Sequence, residues 1–392
     1  MDRHACITTL AGGSGVAMSV QEIQRLVREA GAAGTPLRIS GRAHWMDAGR
    51  PVHAGRIATL ATHTGVADYV PGDLTITVRS GTTLRELARI TAKEGQYLPL
   101  DPHGSEDGTI GATVATGSFG PLAHGFGGIR DLILGAEFVT GVGSVVRGGG
   151  RVVKNVAGFD LVRMITGSWG TLGIVTEVTL RLYSLPPNPA TIAVRVPDER
   201  RLGERIAAIL AAPAVPHAVE LVDSATARHC GLAPRTAILI HLGGNTASVA
   251  AQLQAFASLG AVEVPTSIWS RFRIADDGAA AVIRLSVLPA RIAELWNNTR
   301  NVLAATEGAM TQASAGLGIV RCILPAPAAA SAELLSRLIS STERCTVIPE
   351  RLPAAAWTSL APTFVSDRLS LGIKRAFDPS GILNPGILGA MA

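Results

Sequence analysis

Apolar residues recur at helical intervals in the first stretch of the chain that shows a regular pattern. Ser19 precedes Glu22 by three positions, which is the spacing of a capping box at a helix N-terminus. A glycine, Gly31 or Gly34, is expected to end this helix. The positions that share its apolar face are Val20, Ile23, Val27 and Ala30.

The next stretch alternates between strand and helix patterns. A short strand is predicted at 36–39, and Asp73–Arg79 alternates apolar and polar side chains, which is typical of a half-buried strand. Thr83 and Glu86 form a second capping box, whose helix is expected to end near Glu94. Further strands are predicted at 133–139, 144–147 and 171–180.

Three prolines, Pro186, Pro187 and Pro189, mark the clearest boundary in the sequence. Beyond them the order of elements is βαββαβ, the ferredoxin-like pattern. Its strands are predicted at 191–196, 218–222, 237–241 and 261–265, and its helices at 200–211 and 247–259. The pattern assigns no topology to a looser second run, which has strands at 281–287 and 317–323, helices at 290–304 and 331–340, and a last helix at 366–377.

The composition is that of a globular protein with a large core, because 47% of the residues are hydrophobic and 17% are charged. The net charge is +5, but no run of five basic residues occurs, so nucleic-acid binding is not expected. The 4 cysteines are scattered without a CxxC pair, which excludes a self-contained iron–sulfur cluster and favours a reducing cytoplasm. No metal site is expected, since the cysteines are scattered. No membrane span is expected either, since no uncharged apolar stretch is long enough to cross a bilayer.

The common nucleotide-binding and catalytic motifs are missing. The sequence has no P-loop, HExxH or GxSxG string, and no Rossmann GxGxxG motif follows its first strand. Two segments, 40–44 and 109–120, instead combine glycine with other small and hydroxyl residues. Such segments let the backbone approach a ligand and offer amides to a pyrophosphate. Composition alone describes a pair of surface turns equally well.

Several motifs occur in the order found in one flavoprotein family, the PCMH-type FAD-binding fold of the vanillyl-alcohol oxidases. The string 154–161, with Gly167–Gly170, is similar to the glycolate oxidase flavin subunits in particular, and 378–386 resembles the closing segment of the family. The resemblance is strong over 19–186 and at the C-terminus, and weak between them. The other motifs that carry it lie at 37–44, 72–78, 81–84, 108–120, 153–161 and 170–177.

The resemblance implies an α+β fold in three parts. A PCMH-type FAD-binding domain of two α+β subdomains would occupy residues 1–186. A ferredoxin-like α+β domain at 187–365 would contact the substrate or another subunit. The C-terminal segment 366–392 would then return to the FAD domain.

The resemblance also implies which residues hold FAD. The first loop would wrap the pyrophosphate, the second would line the pyrophosphate and the ribityl chain, and main-chain groups of Ile174 and Val175 would meet the adenine or flavin edge. Arg42 stands where the family usually has glycine. Ala43 stands where members with covalent FAD have histidine, so non-covalent FAD is expected. The FAD-binding residues implied are Ser40, Gly41, Arg42, Ala43, His44, Thr109, Ile110, Gly111, Thr113, Thr116, Gly117, Lys154, Asn155, Gly173, Ile174, Val175 and Asn384.

The sequence assigns no catalytic residue. Oxidation of a 2-hydroxy acid needs a base for the hydroxyl proton and a clamp for the carboxylate. Related catalytic subunits carry a Glu-His-Gly string for the base, and this chain has none. His241 could face a cleft, although a structural role is favoured. Candidate clamps that the sequence does not separate are Arg130, Arg284 and Arg321.

The function implied by the resemblance is that of an FAD-binding subunit of a glycolate oxidase complex, which oxidises glycolate to glyoxylate. Its partners would be a second flavin subunit and an iron–sulfur subunit, and the complex could attach peripherally to a membrane. Two alternatives stay open: a self-sufficient FAD-dependent D-2-hydroxyacid (D-lactate) dehydrogenase, and a non-catalytic assembly subunit.

Overall fold

A computed structural model describes residues 18–150, 160–340, 345–360 and 367–389. Its N-terminal part alternates short helices with short strands, and the capping box predicted at Ser19 and Glu22 is formed. The elements of this part are α1 (Val20–Ala32), β1 (Leu37–Ser40), β2 (Arg56–Thr59), β3 (Val66–Val70), β4 (Thr75–Arg79), α2 (Leu84–Thr91), β5 (Gln96–Tyr97), α3 (Ile110–Thr116), α4 (Ala123–Phe126), α5 (Ile129–Leu132), β6 (Ile133–Val139), β7 (Val145–Gly149), α6 (Leu161–Ile165), β8 (Ile174–Arg181) and β9 (Tyr183–Ser184).

Two sheets organise this part. Five strands form an antiparallel sheet in the order β3-β4-β8-β6-β7, and its Ile76 and Val178 pack with Leu87 of α2 and Val114 of α3. The strands β1 and β2 form a small parallel sheet beside it. The apolar face of α1 covers Leu37 of β1, so the helix predicted from the sequence closes one end of this domain.

The second part is built on one eight-stranded antiparallel sheet. The elements of this part are β10 (Ala190–Arg195), α7 (Leu202–Leu210), β11 (Ala218–Val222), α8 (Ser224–His229), β12 (Ala237–Leu242), α9 (Thr246–Phe256), β13 (Ala261–Glu263), α10 (Ile268–Arg273), β14 (Ala281–Ser286), α11 (Ile292–Leu303), β15 (Met310–Ser314), β16 (Ile319–Leu324), α12 (Ala326–Ala329), α13 (Ala332–Ser340), β17 (Thr346–Arg351), α14 (Ala354–Leu360) and α15 (Arg368–Phe377).

The sheet contains two ferredoxin-like units joined edge to edge. Its strand order is β13-β10-β12-β11-β15-β16-β14-β17. The first four strands are one βαββαβ unit, as predicted. The last four repeat the same arrangement in mirror order, and β11 pairs with β15 at the join. The looser second run of the sequence is therefore a second copy of the first unit.

Of the elements that the sequence patterns did not predict, three have a clear physical explanation. The strand β15 is mostly polar, because one of its faces lines a polar cavity described below. The strand β17 contains Pro349, which is tolerated because β17 lies at the edge of the sheet. The segment that appeared least regular contains α3, which Thr109 caps by accepting a hydrogen bond from the amide of Ala112.

A buried ion pair ties the C-terminal helix to the N-terminal part. The Nζ atom of Lys374 lies 2.5 Å from Oδ2 of Asp378 and donates to the carbonyl of Thr171 at 2.7 Å. The Asp378 carboxylate in turn accepts from the amides of Ile382 and Leu383. Both charged side chains are buried. Removal of one partner therefore leaves the other charge without compensation.

Replacing Lys374 by methionine is expected to lower the free energy of unfolding by about 3–5 kcal/mol, because the Asp378 carboxylate stays buried without its cation. Denaturant-induced unfolding of the purified variant measures the loss. Arg375→Met is the control, since Arg375 is exposed on the same helix. Equal losses in the two variants would contradict a special role for the buried pair.

Candidate functional site

The main cleft of the protein lies where β1, α3 and β8 meet. It has a cavity volume of about 130 Å³. Its walls come from the segment that follows β1, the loop and helix at 102–118, the turn at 169–175 and the C-terminal segment. Concave sites lined mainly by apolar and uncharged groups are typical of sites for cofactors.

Free backbone amides line the first wall. Among the described residues, none accepts a hydrogen bond from the amides of Gly41, Arg42, Ala43 or His44. A Cβ atom at Gly41 would lie 2.3 Å from Oγ1 of Thr109, so only glycine allows this close approach of the two walls. Successive unpaired amides in such a turn form a site for a phosphate group, and the exposed Arg42 stands at its edge.

The second wall of the main cleft, formed by α3, offers few free hydrogen-bond donors to a ligand. The hydroxyl groups of Thr113 and Thr116 donate to carbonyls of α3 itself, at 3.1 and 2.8 Å. The amides of Ile110 and Gly111 donate to carbonyls of the neighbouring strand end. A phosphate needs donors, and those of α3 are already used. The amides of the first loop, in contrast, have no acceptor among the described residues.

Left-handed backbone is concentrated at the main cleft. Among the described residues, four that are not glycine have a positive φ, and three of them line it: Ala43 (63°), Trp169 (54°) and Asn384 (43°). Such conformations persist only when the surroundings impose them, and they cluster at functional sites.

Asn384 shows what imposes this geometry. Its Oδ1 accepts from the amide of Ile39 at 2.8 Å, and its Nδ2 donates to the carbonyl of Trp169 at 2.7 Å. Its own amide donates to the carbonyl of Leu37. One side chain thus joins β1, the 169–175 turn and the C-terminal segment. Asn384 lines the main cleft, but both ends of its amide hold the scaffold.

Most of the residues that the sequence implies for FAD binding come together here. The side chain of Ile174, of which only main-chain groups were implied, packs in the core beside α1, because successive strand residues face opposite sides. Ile110, the first residue of α3, is buried in the core of the five-stranded sheet. Gly117 lies in the adjoining cavity. Lys154 and Asn155 lie outside the described residues. The residues that do line the main cleft are Ser40, Gly41, Arg42, Ala43, His44, Thr109, Gly111, Thr113, Thr116, Gly173, Val175 and Asn384.

Several lining residues carried no signal in the sequence. Trp45 and Trp169 supply aromatic walls, and His103 and Ser118 sit at the inner end. The tryptophans could have been suspected, since each adjoins a glycine-bearing motif. His103 could not, because its position depends on how the loop at 102–109 packs against the second sheet.

A second, smaller cavity lies between the two parts of the chain, and we call it the junction cavity. It has a cavity volume of about 20 Å³ and borders the main cleft, since His103 and Ser118 line both. Burial, together with nearby arginines, lowers the pKa of His103 well below its usual range. The other lining residues are Phe119, Glu220, Arg284, Gln312, Ser314, Ile319, Arg321 and Glu350.

The arginines of the junction cavity are already neutralised. Arg321 donates to Asp276 at 3.0 Å and to Glu350 at 2.7 Å. Arg284 lies 3.7 Å from the other oxygen of Glu350 and stands over the ring of Phe119. The two arginines are direct cross-strand partners on β14 and β16, an arrangement that acidic neighbours must offset. Of the three clamp candidates, these two meet in the junction cavity, while Arg130 lies in the cavity beside it.

His241, for which the sequence favours a structural role, packs between Thr191 and the rings of His217 and Trp269. Its Nδ1 lies 3.2 Å from the hydroxyl of Thr191, and burial lowers its pKa to about 4. Within the described part of the chain, no cluster of His, Cys, Asp and Glu could hold a metal ion. No helix in the same residues is long and apolar enough to cross a membrane.

Comparisons with known proteins identify an FAD-binding domain in this chain. Residues 16–149 match the FAD binding domain family, and residues 369–388 match the C-terminal domain of FAD linked oxidases. The chain thus carries a PCMH-type FAD-binding domain, and FAD is its cofactor.

Its relatives include subunits of glycolate oxidase. The chain is 39% identical over 176 residues to glycolate oxidase subunit GlcE of Escherichia coli (strain K12), covering 45% of this chain and 49% of that one. It is 31% identical over 176 residues to glycolate oxidase subunit GlcD of Bacillus subtilis (strain 168), covering 45% and 37%. The chain thus matches less than half the length of each of these relatives.

The whole fold is that of a solved flavoprotein. The structure of p-cresol methylhydroxylase with substrate bound superimposes with a TM-score of 0.72, covering 96% of this chain and 88% of that one at 19% identity. At this identity the likeness concerns the fold alone. The predicted α+β fold, with an FAD-binding part and a ferredoxin-like part, is confirmed.

Replacing Gly41 by alanine is expected to weaken FAD binding at least tenfold, because the new methyl group would push the first loop away from Thr109 and displace its free amides. Titration of the apoprotein with FAD, followed by quenching of flavin fluorescence, measures the dissociation constant. Gly72→Ala is the matched control, since nothing lies within 4 Å of its Cβ position. If the Gly41 variant bound FAD with unchanged affinity, the first loop would not be the segment that binds the diphosphate.

Proposed function

We propose that this chain is the FAD-binding subunit of a glycolate oxidase complex, in which glycolate is oxidised to glyoxylate and electrons pass to partner subunits. The observation that carries the proposal is the set of free amides at Gly41–His44, inside the matched FAD binding domain of a chain that resembles a glycolate oxidase subunit. The first loop fits the diphosphate of FAD without a lysine or a Rossmann motif.

The residues of the main cleft would bind and orient FAD. Amides of the first loop hold the diphosphate, and Arg42 adds a charge-assisted contact at the exposed edge. The second wall, with Gly111 packed against Ser80, shapes the cleft and excludes water. When bound, FAD supplies the acceptor for the two electrons and the hydrogen that leave the substrate carbon.

Attachment of FAD is non-covalent in this proposal. Ala43 occupies the position at which covalently flavinylated relatives of this fold carry histidine, and its methyl group cannot form such a bond. His44 follows it and is exposed on the loop. Binding therefore rests on hydrogen bonds and packing, and denaturation should release the flavin intact.

An iron–sulfur centre would belong to a partner. The thiols of Cys230 and Cys322 are buried among apolar side chains, and burial raises their pKa to about 11 and about 12. Iron–sulfur clusters require thiolates from clustered cysteines, and these thiols are separate and protonated. We therefore place the onward path of the electrons on other subunits, with a second flavin subunit in the same assembly.

The chain, purified alone and after co-expression with its partners, is expected to be yellow. Denaturation should release the flavin into the protein-free supernatant, because the cofactor is not covalently attached. Glycolate should bleach the flavin absorbance of the complex, which a spectrum recorded before and after its addition measures.

The alternative functions predict other spectra. A chain that glycolate or D-lactate bleaches in isolation would be a self-sufficient dehydrogenase. A chain that stays yellow in every assembly would be a non-catalytic subunit. A polypeptide that remains colourless with excess FAD, alone and with its partners, would contradict the proposal.

A further inference from the structure

An unpaired buried carboxyl group lies in the junction cavity and has no role in FAD binding. Glu220 sits on β11, at the join of the two ferredoxin-like units, and its side chain is 1% exposed. Its Oε1 accepts a hydrogen bond from the hydroxyl of Ser314 at 2.7 Å. Among the described residues, no arginine, lysine or histidine forms an ion pair with it.

The surroundings of Glu220 leave it free to exchange a proton. Arg321 and Arg284, the cations of the junction cavity, are held by Glu350 and Asp276. Cross-strand pairing places Ser314 directly opposite Glu220 and fixes its orientation. A neutral amide could accept the same hydrogen bond, whereas only a carboxyl group can also take up a proton.

Other polar atoms of the cavity also lack partners within the protein. The Nη1 atom of Arg321 and the Oε1 atom of Gln312 are buried without a hydrogen bond, and both residues are nearly inaccessible to solvent. Buried donors and acceptors of this kind cost free energy unless a ligand or water satisfies them. The cavity is therefore suited to a small polar molecule next to the main cleft.

We propose that Glu220 is the proton acceptor for the hydroxyl group of a small 2-hydroxy acid bound where the main cleft meets the junction cavity. This inference rests on the proposed function. The O–H bond of the substrate breaks and its proton passes to the Glu220 carboxylate. The C–H bond breaks with its electron pair, which leaves as hydride to FAD, the oxidant, and the C–O single bond becomes the carbonyl of the 2-oxo acid.

The charges that face Glu220 set the pH at which it can act. Burial, with the negative charge of Asp101 nearby, raises the pKa of Glu220 to about 8, while the Ser314 hydroxyl opposes the rise. Burial also raises the pKa of Asp101, to about 7. His103 stays neutral, and the arginines are paired with acids. The reactive form of Glu220 is the carboxylate, so the reaction should accelerate as the pH rises through about 8.

The test compares complexes that contain Glu220→Gln, Ser314→Ala or Glu263→Gln. Rapid mixing with glycolate measures the rate of flavin bleaching between pH 6 and 10. The wild type and the exposed control Glu263→Gln should show a rate that rises with pH and has its midpoint near pH 8. Glu220→Gln should lose at least about 100-fold in rate, as expected for loss of a general base. Ser314→Ala should move the midpoint to higher pH, because it removes the donor that stabilises the carboxylate.

A second readout does not depend on turnover. Infrared difference spectra of the protein between pH 6 and pH 10 should contain a protonated carboxyl band that disappears on titration and is missing in Glu220→Gln. FAD content and thermal midpoint of each variant show that it folds.

Failure of the role of Glu220 can be distinguished from failure of the proposed function. Wild-type bleaching together with an unchanged rate and pH profile in Glu220→Gln overturns the role of Glu220 and leaves the proposed function intact. A wild-type complex without FAD, or one that glycolate does not bleach, removes both.

Discussion

The return of the C-terminal segment to β1 is the constraint on which the main cleft depends. Leu383 pairs with Leu37, and the amide of Asn384 bridges β1 and the turn at Trp169. The buried pair of Lys374 and Asp378 fixes the approach of this segment from α15. These contacts join residues more than 200 positions apart, so the walls of the cleft are set only once the whole chain has folded.

The two walls of the main cleft differ in how their hydrogen-bond donors are paired. In the first loop the amides of Gly41–His44 have no acceptor among the described residues. In α3, by contrast, the threonine hydroxyls and the N-terminal amides already donate hydrogen bonds to neighbouring carbonyl groups. One wall has its hydrogen-bonding groups paired within the protein, and the other has free amides. Such a site is preorganised, because ligand binding then requires little rearrangement of the protein.

The eight-stranded sheet serves the site through one of its two faces. One face packs Trp296, Phe256 and the other apolar side chains into a large core. The opposite face of its central strands carries Glu220, Gln312 and Arg321 toward the FAD-binding part. Joining two ferredoxin-like units edge to edge makes this polar row wider than one unit could provide. The same alternation of strand residues thus supplies both the stability of the second part and the chemistry of the junction cavity.

The sequence by itself determined the elements whose signals are local. Capping boxes located α1 and α2, alternation located β4, and the order of elements identified the first ferredoxin-like unit. Small residues at 40–44 and 109–117 pointed to the cofactor cleft, because close backbone approach requires them.

Only the tertiary structure decided what depends on pairing between distant segments. It showed that β15 and β17 complete a second unit, that Ile110 and Ile174 face the core, and that the hydroxyls of α3 are already bonded. It also brought His103 and Glu220, 117 positions apart, to one cavity. Local patterns carry no record of register or of which faces meet, since both arise from long-range packing.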